Sequence, residues 1–312
     1  MRKPSWIKSE IPTGSNFNDL KSIVSKNKLN TVCVEAKCPN IGECWSLGTL
    51  TFMILGDTCS RSCGFCAVKT GRGLNIDYLE PKRLARGILD LKNNNSLINH
   101  IVLTSVNRDD KNNESARIFA NSIKEIKNLD LDIKVEVLIP DFLGDEECYK
   151  LILGAKPDVV NHNIETVSRL YRFKQSTGTD IKRAVRPQAI YERSLSLLKF
   201  FSEAKNIVTK SGIMIGLGET KDEIFECIND LNSVGCQIIT VGQYLQPSKD
   251  FINVSKFYTP KEFEEIKKYS EQKNNIITAE CGPMVRSSYH AESQLKNAKS
   301  NLEEGAINWS LF

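Results

Sequence analysis

The chain has 312 residues, of which 40% are hydrophobic and 26% are charged, and its formal net charge is +4. These values are typical of an ordinary globular protein, and no apolar run is long enough to span a bilayer, so we expect no membrane partner. Basic residues form no dense stripe interleaved with aromatic residues, so we expect no nucleic-acid partner either.

Short apolar or β-branched runs alternate with amphipathic helical patterns along the sequence. In chain order the predicted strands are Thr51–Leu55, His100–Val106, Ile133–Ile139, Asp158–Ile164, Gly212–Leu217 and Gln237–Val241, with a last short strand at Ile276–Ala279. The predicted helices are Pro81–Leu91, Glu114–Ile126, Asp145–Leu153, Pro187–Phe201, Thr220–Val234 and Pro260–Glu271. Pro187 and Pro260 fit helix starts, where the missing N–H of proline costs nothing.

This alternation predicts an α/β fold with a parallel sheet, in the form of a partial (β/α)6 TIM-type barrel. We expect the barrel over residues 51–280, with an N-terminal extension (1–50) and a C-terminal extension (281–312). In such barrels the chemistry occurs at the carboxyl ends of the strands. Polar segments follow five predicted strands and should meet on one rim: 59–66, 104–109, 161–165, 216–219 and 243–247.

Six of the ten cysteines lie in two groups of unlike spacing, which are Cys33, Cys38 and Cys44 (C-x4-C-x5-C), then Cys59, Cys63 and Cys66 (C-x3-C-x2-C). Three thiolates at the second spacing can hold three irons of a cubane iron–sulfur cluster and leave the fourth iron open to a substrate. Disulfides are one alternative, but Met1–Trp6 lacks an apolar stretch, so we expect no secretory signal and a reducing, cytoplasmic setting. Structural zinc is another alternative, although neither group has an obvious fourth ligand.

The other four cysteines have different surroundings. Cys227 shares a predicted helix face with apolar residues, and Cys148 and Cys236 also lie in apolar contexts, so we expect all three in the core. Cys281 is less settled, because it lies only seven residues before Ser288.

The second cysteine group, with Phe65 before its last cysteine, resembles the signature of the radical S-adenosylmethionine (SAM) superfamily. Joined to the first group and to Arg286-Ser-Ser-Tyr289, it makes nearly the whole chain similar to the lipoyl synthase family. The segments that carry this resemblance are Lys3–Lys8, Cys33–Trp45, Gly48–Val68, Asn161–Thr166, Gly242–Ser248 and Cys281–Ala291. The sequence departs from the family pattern at Lys111–Glu114 and at Phe251.

The resemblance implies two 4Fe–4S clusters. Cys59, Cys63 and Cys66 would hold the cluster that reduces SAM, while Cys33, Cys38 and Cys44 would hold an auxiliary cluster. Ser288 would be the fourth, labile ligand of the auxiliary cluster; the alternatives are that Ser288 caps a turn and that Cys281 is the ligand. Arg286 would shield this cluster or hold a carboxylate.

Contacts to SAM are also implied. We expect them from Phe65, Thr104, Ser105, Asn163, Glu165, Gly212, Gly216 and Glu219. For Asn163 and Glu165 the alternative is a helix cap and a surface carboxylate, and for the glycines it is turn geometry alone. His162 and His290 lie within the motifs and could serve as supporting hydrogen-bond groups or in catalysis.

The family inserts two sulfur atoms, at C6 and C8, into an octanoyl chain carried on a protein lysine. The implied partners are octanoylated lipoyl-carrier proteins (the E2 lipoyl domains of 2-oxoacid dehydrogenases and the glycine-cleavage H protein), an electron donor and an iron–sulfur carrier. Two other functions stay open: a different radical SAM sulfur-insertion enzyme, and a two-cluster electron-transfer or scaffold protein without catalysis.

Overall fold

The computed structural model describes residues 3–8, 15–27, 29–35, 38, 40–46, 49–94, 98–179 and 181–309. Its helices are α1 (Ser15–Lys26), α2 (Val32–Glu35), α3 (Ile41–Ser46), α4 (Glu80–Asn94), α5 (Asn112–Lys127), α6 (Glu146–Gly154), α7 (Tyr191–Ser202), α8 (Lys221–Ser233), α9 (Pro260–Glu271) and α10 (Ala291–Trp309). Its strands are β1 (Leu50–Ile54), β2 (Thr58–Cys59), β3 (Lys69–Thr70), β4 (His100–Ser105), β5 (Lys134–Leu138), β6 (Val159–Asn161), β7 (Lys174–Ser176), β8 (Lys182–Ala184), β9 (Val208–Ile215), β10 (Ile238–Gln243) and β11 (Thr278–Gly282).

Seven strands form one open sheet in the order β1-β4-β5-β6-β9-β10-β11. Every neighbouring pair in this sheet is parallel, and helices connect most of the successive strands. This arrangement confirms the predicted α/β fold and brings the carboxyl ends of the strands to one rim. The predicted short last strand corresponds to β11, which pairs with β10 at the edge of the sheet.

The two largest errors in the predicted boundaries are both at the start of an element. Strand β9 begins at Val208, four residues before the predicted start at Gly212, because the polar residues Thr209–Ser211 are fully buried and continue the strand. Helix α7 begins at Tyr191 rather than at Pro187, which lies in a turn. The backbone before the helix is held elsewhere, since the Arg186 amide donates to the Tyr171 carbonyl (2.9 Å).

Successive residues of the strands face opposite sides of the sheet, as the pleat requires. Val160 and Ile239 pack in the large core that also contains residues of the outer helices. Their neighbours Val159 and Ile238 instead form a separate cluster with Leu295 of α10. Helix α10 therefore lies across the amino ends of the strands and forms a floor of the barrel.

A layer of buried charge lies inside the barrel, next to that floor. Lys210 Nζ lies 3.0 Å from Glu136 Oε1, and His100 Nε2 lies 3.3 Å from Glu136 Oε2. Asn161 Nδ2 donates to Glu136 Oε1 (3.1 Å). Burial opposes the charge of Glu136, but Lys210 and His100 outweigh it and lower the pKa of this carboxyl to about 2. The carboxylate is therefore charged and fully paired, as a buried charge must be.

The N-terminal segment is attached to the barrel at several points. Helix α1 packs against α4, and Leu20 of α1 is buried. The Met53 amide of β1 donates to the Asn30 carbonyl (2.9 Å), and Trp6 Nε1 donates to the Tyr258 carbonyl (3.2 Å). None of the described helices is long and apolar enough to cross a membrane.

Two small two-stranded sheets lie at the rim of the barrel. Strands β2 and β3 pair in parallel, and β7 and β8 form an antiparallel hairpin in which Gln175 lies opposite Arg183. The hairpin was not predicted, because its strands are only three residues long and mostly polar.

Candidate functional site

The second cysteine group lies on the rim, in the loop that follows β1. Cys59 ends β2, and its sulfur accepts hydrogen bonds from the amides of Arg61 (3.4 Å) and Asn107 (3.3 Å). The second of these bonds comes from the loop after β4, so the sulfur is held between two loops. We call residues Cys59–Cys66 the cluster loop.

Arg61 fastens the cluster loop to the neighbouring loops. Its guanidinium forms two 2.8 Å hydrogen bonds with Asp109, after β4, and a further ion pair with Asp141, after β5. Arg61 is almost fully buried, and this cation lowers the pKa of Asp141 to about 2 against the opposing effect of burial. A buried, bidentate pair of this kind fixes geometry as well as charge.

Gly64 allows the backbone of the cluster loop to approach the end of strand β8. Its amide lies 3.0 Å from the Ala184 carbonyl and 3.1 Å from the Val185 carbonyl. A Cβ atom at this position would lie 2.5 Å from the Ala184 oxygen and 2.6 Å from Ile252 Cδ1. Only glycine fits here, which explains the residue between Cys63 and Phe65 by packing.

The three thiols of the cluster loop influence one another. Burial raises the pKa of Cys63 to about 12; Arg186 opposes this rise, while Cys66, Cys59 and Glu165 add to it. Burial also raises the pKa of Cys66 to about 11, with further contributions from Cys59 and Glu165. The thiols of Cys63 and Cys66 are therefore protonated at neutral pH, and a bound metal would displace their protons.

Arg186 is a site residue that the sequence analysis missed. It is buried, and its Nη1 lies 2.8 Å from Tyr171 Oη, 3.0 Å from the Asn163 carbonyl and 3.2 Å from the Ile164 carbonyl. Its charge acts on both Cys63 and Glu165, as their pKa values show. No motif surrounded this arginine, and its position became evident only when the chain was folded.

Asn163 and Glu165, the pair predicted to contact SAM, lie together beside this cation. Burial raises the pKa of Glu165, while Arg186 and a hydrogen bond from Asn163 oppose the rise. Asn163 Oδ1 is buried without a hydrogen-bond partner, and a Cβ at Gly212 would lie 2.8 Å from it. Glu165 has a φ of 67°, a strained value for a residue other than glycine. A helix cap and a surface carboxylate do not describe these positions.

The side chains of Thr104, Ser105 and Phe65 differ in the contacts that they make within the protein. Thr104 Oγ1 donates to the Leu138 carbonyl (3.1 Å), whereas Ser105 Oγ is buried without a partner. Phe65 is half-buried against the main core. Ser105, like Asn163, thus has a buried polar atom that could form a hydrogen bond with a bound molecule.

Gly216 and Glu219 form a turn that is complete within the protein. The Glu219 carboxylate accepts hydrogen bonds from the amides of Gly216 (2.5 Å) and Leu217 (2.9 Å). Gly216 has a φ of 104°, and a Cβ there would overlap Gln243 Nε2. Both residues therefore stabilise the turn after β9, and their contacts to SAM stay a prediction.

The first cysteine group lies near the C-terminal motif. Burial raises the pKa of Cys33 to about 11, with a contribution from Cys38. Burial likewise raises the pKa of Cys44 to about 12, and Cys33 and Cys38 both contribute. The three thiols are thus close enough to interact.

Hydrogen bonds join the N-terminal and C-terminal segments at this group. Tyr289 Oη donates to Glu43 Oε1 (2.9 Å), and Asn40 Nδ2 donates to the Met284 carbonyl (2.6 Å). Burial lowers the pKa of Arg286, and the nearby Cys38 opposes this shift. The segment that contains Ser288 is thereby held beside the three cysteines.

Ser288 and Cys281 differ in their surroundings. Ser288 is half-buried, and its hydroxyl forms no hydrogen bond with another described residue, so it does not cap a turn there. Cys281 lies on β11, which packs against helix α9. Burial and the charge of Glu280 raise the pKa of Cys281, while Lys267 of α9 opposes the rise. The position of Cys281 argues against its role as the rival ligand.

Other sequence expectations can be placed in the same way. Cys148, Cys227 and Cys236 are buried in the core, as predicted. His162 is buried and supports the rim, with Nδ1 2.8 Å from the Ile139 carbonyl and Nε2 2.9 Å from Ser194 Oγ. His290 Nε2 lies 3.2 Å from Glu43 Oε1.

Among the described residues, no three His, Cys, Asp or Glu side chains converge closely enough to hold a single metal ion. Ligands of a single zinc ion lie only about 2.3 Å from it. Each group of three thiols is instead close enough for mutual electrostatic effects without such convergence, and soft thiolates are the ligands that iron–sulfur clusters use. The thiols of each group therefore have the chemistry that an iron–sulfur cluster requires of its ligands.

Sequence comparisons with known proteins all lead to the same family. The "Radical SAM superfamily" pattern matches residues 53–231, and the "N-terminal domain of lipoyl synthase of Radical_SAM family" matches residues 1–38. A lipoyl synthase of Koribacter versatilis (strain Ellin345) is 46% identical over 301 residues, which cover 96% of this chain and 93% of that protein. A mitochondrial lipoyl synthase of Nematostella vectensis is 44% identical over 293 residues, which cover 94% of this chain and 95% of that protein.

Solved structures support the fold. Methylornithine synthase (PylB) matches with a TM-score of 0.51 and 13% identity, over 84% of this chain and 74% of that one. HydG, a maturase of the FeFe-hydrogenase, matches with a TM-score of 0.52 and 14% identity, over 90% of this chain and 71% of that one. At this identity the likeness extends to the fold alone.

Proposed function

Since the chain belongs to the lipoyl synthase family of the radical SAM superfamily, we propose that it inserts two sulfur atoms, at C6 and C8, into a protein-bound octanoyl-lysine. The sulfur atoms would come from an auxiliary 4Fe–4S cluster. The proposal includes the division into an N-terminal extension (1–50), a barrel (51–280) and a C-terminal extension (281–312).

One observation carries this proposal. Two separate groups of three interacting thiols occur in one chain, and the C-terminal Arg286–Tyr289 segment lies beside the first group. An electron-transfer protein would be expected to complete each cluster with a fourth cysteine. A chain that leaves both groups at three thiols instead suits clusters that react.

The chemistry needs a cofactor because a C–H bond of an octanoyl chain is not acidic, so no side-chain base can activate it. Cys59, Cys63 and Cys66 would hold a 4Fe–4S cluster, which together with bound SAM would supply the radical chemistry that removes hydrogen from carbon. Each product would use two SAM molecules and two electrons from a donor, and the two abstracted hydrogens would leave in 5′-deoxyadenosine.

The residues around the cluster loop would hold SAM. Asn163 and Glu165 offer an unpaired amide oxygen and a carboxylate, which suit ribose hydroxyls, and Gly212 lets the Asn163 side chain approach the strand closely. Arg186 is a buried cation and suits a carboxylate such as that of the methionine moiety. Ser105 has an unpaired hydroxyl, and Thr104 and Phe65 line the same rim.

Glu219 and Gly216 would act indirectly, through the turn that they stabilise after β9. Arg286 would shield the auxiliary cluster, since it is half-buried and its charge interacts with Cys38. Cys33, Cys38, Cys44 and Ser288 would be the ligands of that cluster.

The partners follow from this chemistry. The enzyme would act on octanoylated lipoyl-carrier proteins, such as E2 lipoyl domains and the glycine-cleavage H protein. It would also need an electron donor for the first cluster and an iron–sulfur carrier to rebuild the second. We propose a cytoplasmic location, where thiols stay reduced.

The test is an anaerobic assay of the reconstituted protein with SAM, dithionite and an octanoyl-lysyl peptide, followed by mass spectrometry. After reoxidation, we expect a peptide that has gained two sulfurs and lost two hydrogens, together with 5′-deoxyadenosine. Deoxyadenosine without sulfur transfer would indicate a radical SAM enzyme with another substrate. If both clusters are present and no deoxyadenosine forms, the non-catalytic scaffold function would replace this proposal.

Ser288 allows a sharper test of sulfur donation. An alkoxide is a harder and more basic ligand than a thiolate, so protonation releases it from iron more readily. We expect Ser288→Cys to retain its iron but to transfer sulfur at least about tenfold more slowly, which corresponds to ~1.4 kcal/mol in the barrier. Ser287→Cys is the matched control and should keep normal transfer. Full turnover by Ser288→Cys would show that an oxygen ligand is unnecessary.

A further inference from the structure

The β7–β8 hairpin projects from the rim beside the cluster loop and is firmly attached there. Its second strand ends at Ala184, whose carbonyl accepts the Gly64 amide of the cluster loop (3.0 Å). Its turn is fixed on the other side, because the Gly178 amide donates to the Lys249 carbonyl (2.8 Å) and Asn253 Nδ2 donates to the Thr177 carbonyl (2.8 Å). The hairpin is therefore held in a defined position next to the candidate site.

The two faces of the hairpin differ in composition. Gln175 and Arg183 lie opposite each other and face the barrel, where the Arg183 guanidinium lies 5.5 Å from the centre of the Phe251 ring. On the other face, Lys174 and Lys182 are exposed to solvent. Side chains alternate between the faces of a strand, so the exposed lysines follow from the same register that packs Arg183 inward.

Exposed apolar residues flank these lysines. Phe173 precedes β7 and is 56% exposed, and Ile181 precedes β8 and is 55% exposed. Single exposed apolar side chains are ordinary on a protein surface, but these two lie at the ends of a short hairpin fixed beside the candidate site and add apolar area next to the lysines. Aromatic residues and arginine, such as Phe173 and Arg172, are the types that interfaces favour.

The charge of this surface is uncompensated within the described part of the chain. Arg172, Lys174, Lys182 and Lys249 form no ion pair with any described carboxylate. Next to these residues Arg169, whose guanidinium lies 5.9 Å from the centre of the Phe173 ring, pairs with Glu223, and further along the rim Lys256 pairs with Glu262. The hairpin surface, which we define as Arg172, Phe173, Lys174, Ile181, Lys182 and Lys249, therefore offers its positive charge to a partner.

We propose that the hairpin surface docks the carrier protein, and that the carrier presents an acidic surface around its octanoyl-lysine. The inference rests on the proposed function, because an acyl chain tied to a protein reaches the rim only if that protein contacts the surroundings of the site. Charge at the edge of an interface mainly accelerates association, while the apolar side chains slow dissociation. Phe173 and Ile181 would provide the second contribution.

The test measures carrier binding and peptide turnover separately. Fluorescence anisotropy of a labelled, octanoylated H protein gives Kd for the reconstituted wild type and for Lys174→Glu/Lys182→Glu at about 50 mM and 300 mM salt. We expect the variant to bind at least about tenfold more weakly at low salt and the difference to shrink at high salt, because salt screens exposed charges. Turnover of a short octanoyl-lysyl peptide should change less than about twofold, which also shows that the variant is folded.

Lys124→Glu/Lys199→Glu is the matched control. Both lysines are exposed on outer helices and form no described ion pair, so this variant changes the net charge equally without touching the hairpin. It should bind the carrier as the wild type does. A second hairpin variant, Phe173→Ser/Ile181→Ser, should weaken carrier binding at both salt concentrations.

Several results would overturn the docking proposal. Unchanged carrier binding by both hairpin variants would do so, as would an equal loss in the Lys124/Lys199 control, which would reveal a general charge effect. Binding to phosphatidylglycerol vesicles that depends on Lys174 and Lys182, with unchanged carrier affinity, would reassign the surface to a membrane. If the wild type turns over neither peptide nor carrier, the proposed function fails, whereas the anisotropy measurement still decides the docking.

Discussion

At the scale of single residues, two buried arginines organise the candidate site. Arg61 joins the cluster loop to the loops after β4 and β5, and Arg186 lies between Cys63 and Glu165. Arg61 is neutralised by Asp109 and Asp141, so its role is to fix the loop. Among the described residues, the Arg186 guanidinium donates its hydrogen bonds to carbonyls and to the Tyr171 hydroxyl and forms no close ion pair, so its charge can also act on a molecule that the site binds.

His162 should make the stability of the protein depend on pH. Burial, together with Arg186, lowers the pKa of His162 from 6.5 to about 4, so the folded protein keeps this imidazole neutral. The unfolded chain takes up a proton below pH 6.5. The stabilisation is therefore complete above pH 6.5 and is lost progressively as the pH falls towards 4, amounting to about 2 kcal/mol by pH 5.

Urea unfolding of the reconstituted protein at pH 7.5 and pH 5 measures this contribution. His162→Gln cannot titrate, so its loss of unfolding free energy between the two pH values should be smaller than that of the wild type by about 2 kcal/mol. Equal losses in both proteins would show that other groups dominate the acid sensitivity.

The site residues could be predicted from the sequence only where a local pattern marked them. The spacing of Cys59, Cys63 and Cys66 was visible without a fold, because all three ligands lie in one loop. Arg186 was not, since it lies 120 residues beyond Cys66 and looks like any other arginine until Gly64 brings β8 against the cluster loop. Glu219 looked like a ligand contact, but its oxygens are occupied by two backbone amides.

At the scale of secondary-structure elements, strand β10 shows how a glycine permits close approach. A Cβ at Gly242 would overlap the Val285 carbonyl oxygen and would lie 3.2 Å from Arg286 Nη1. The loop after β11 therefore lies directly on the inner face of β10. That contact fixes the start of the segment that ends at Tyr289.

Gly242→Ala should displace this segment. Because the obstructing atom belongs to the backbone, we expect a loss of unfolding free energy of about 1–3 kcal/mol. We also expect the reconstituted protein to lose iron, by up to about four atoms per chain, if the auxiliary cluster no longer assembles. Urea unfolding and iron analysis measure the two effects.

Gly154→Ala is the matched control, since Gly154 ends helix α6 and a Cβ there would meet nothing within 4 Å. Alanine in a helix is favoured over glycine, so the control should be neutral or more stable by about 0.5–1 kcal/mol. A Gly242→Ala protein with normal stability and full iron would show that the loop can move away without consequence.

The elements themselves were predictable where hydrophobic periodicity or capping marked them. Helix α9 begins at Pro260 as predicted, and Thr259 and Glu262 form a capping box at its start. The early start of β9 was hidden, because Lys210 is buried only by virtue of Glu136 from another strand. The β7–β8 hairpin could not be predicted for a similar reason, because it is stabilised by contacts with the cluster loop, which is distant in sequence.

At the scale of the whole molecule, the decisive contact joins segments that are far apart in sequence. Glu43 and Tyr289 are 246 residues apart and share a hydrogen bond, and Asn40 and Met284 are joined in the same way. Periodicity describes what a segment does locally, so it could not bring these two ends together. The resemblance to a family predicted their union through Ser288, whose role as a ligand stays a prediction.

The floor of the barrel has a consequence for the traffic of molecules. Leu295 and Ala298 pack under Val159, Val208 and Ile238, and the Glu136 ion layer lies inside the same barrel, so in the described part of the chain the amino ends of these strands are closed. The octanoyl-lysine arm, SAM and 5′-deoxyadenosine would then all enter or leave through one opening at the rim. A carrier protein bound over that opening would slow the exchange of nucleoside between the first and second sulfur insertions. The product with a single sulfur atom would consequently persist until the carrier protein partly dissociates.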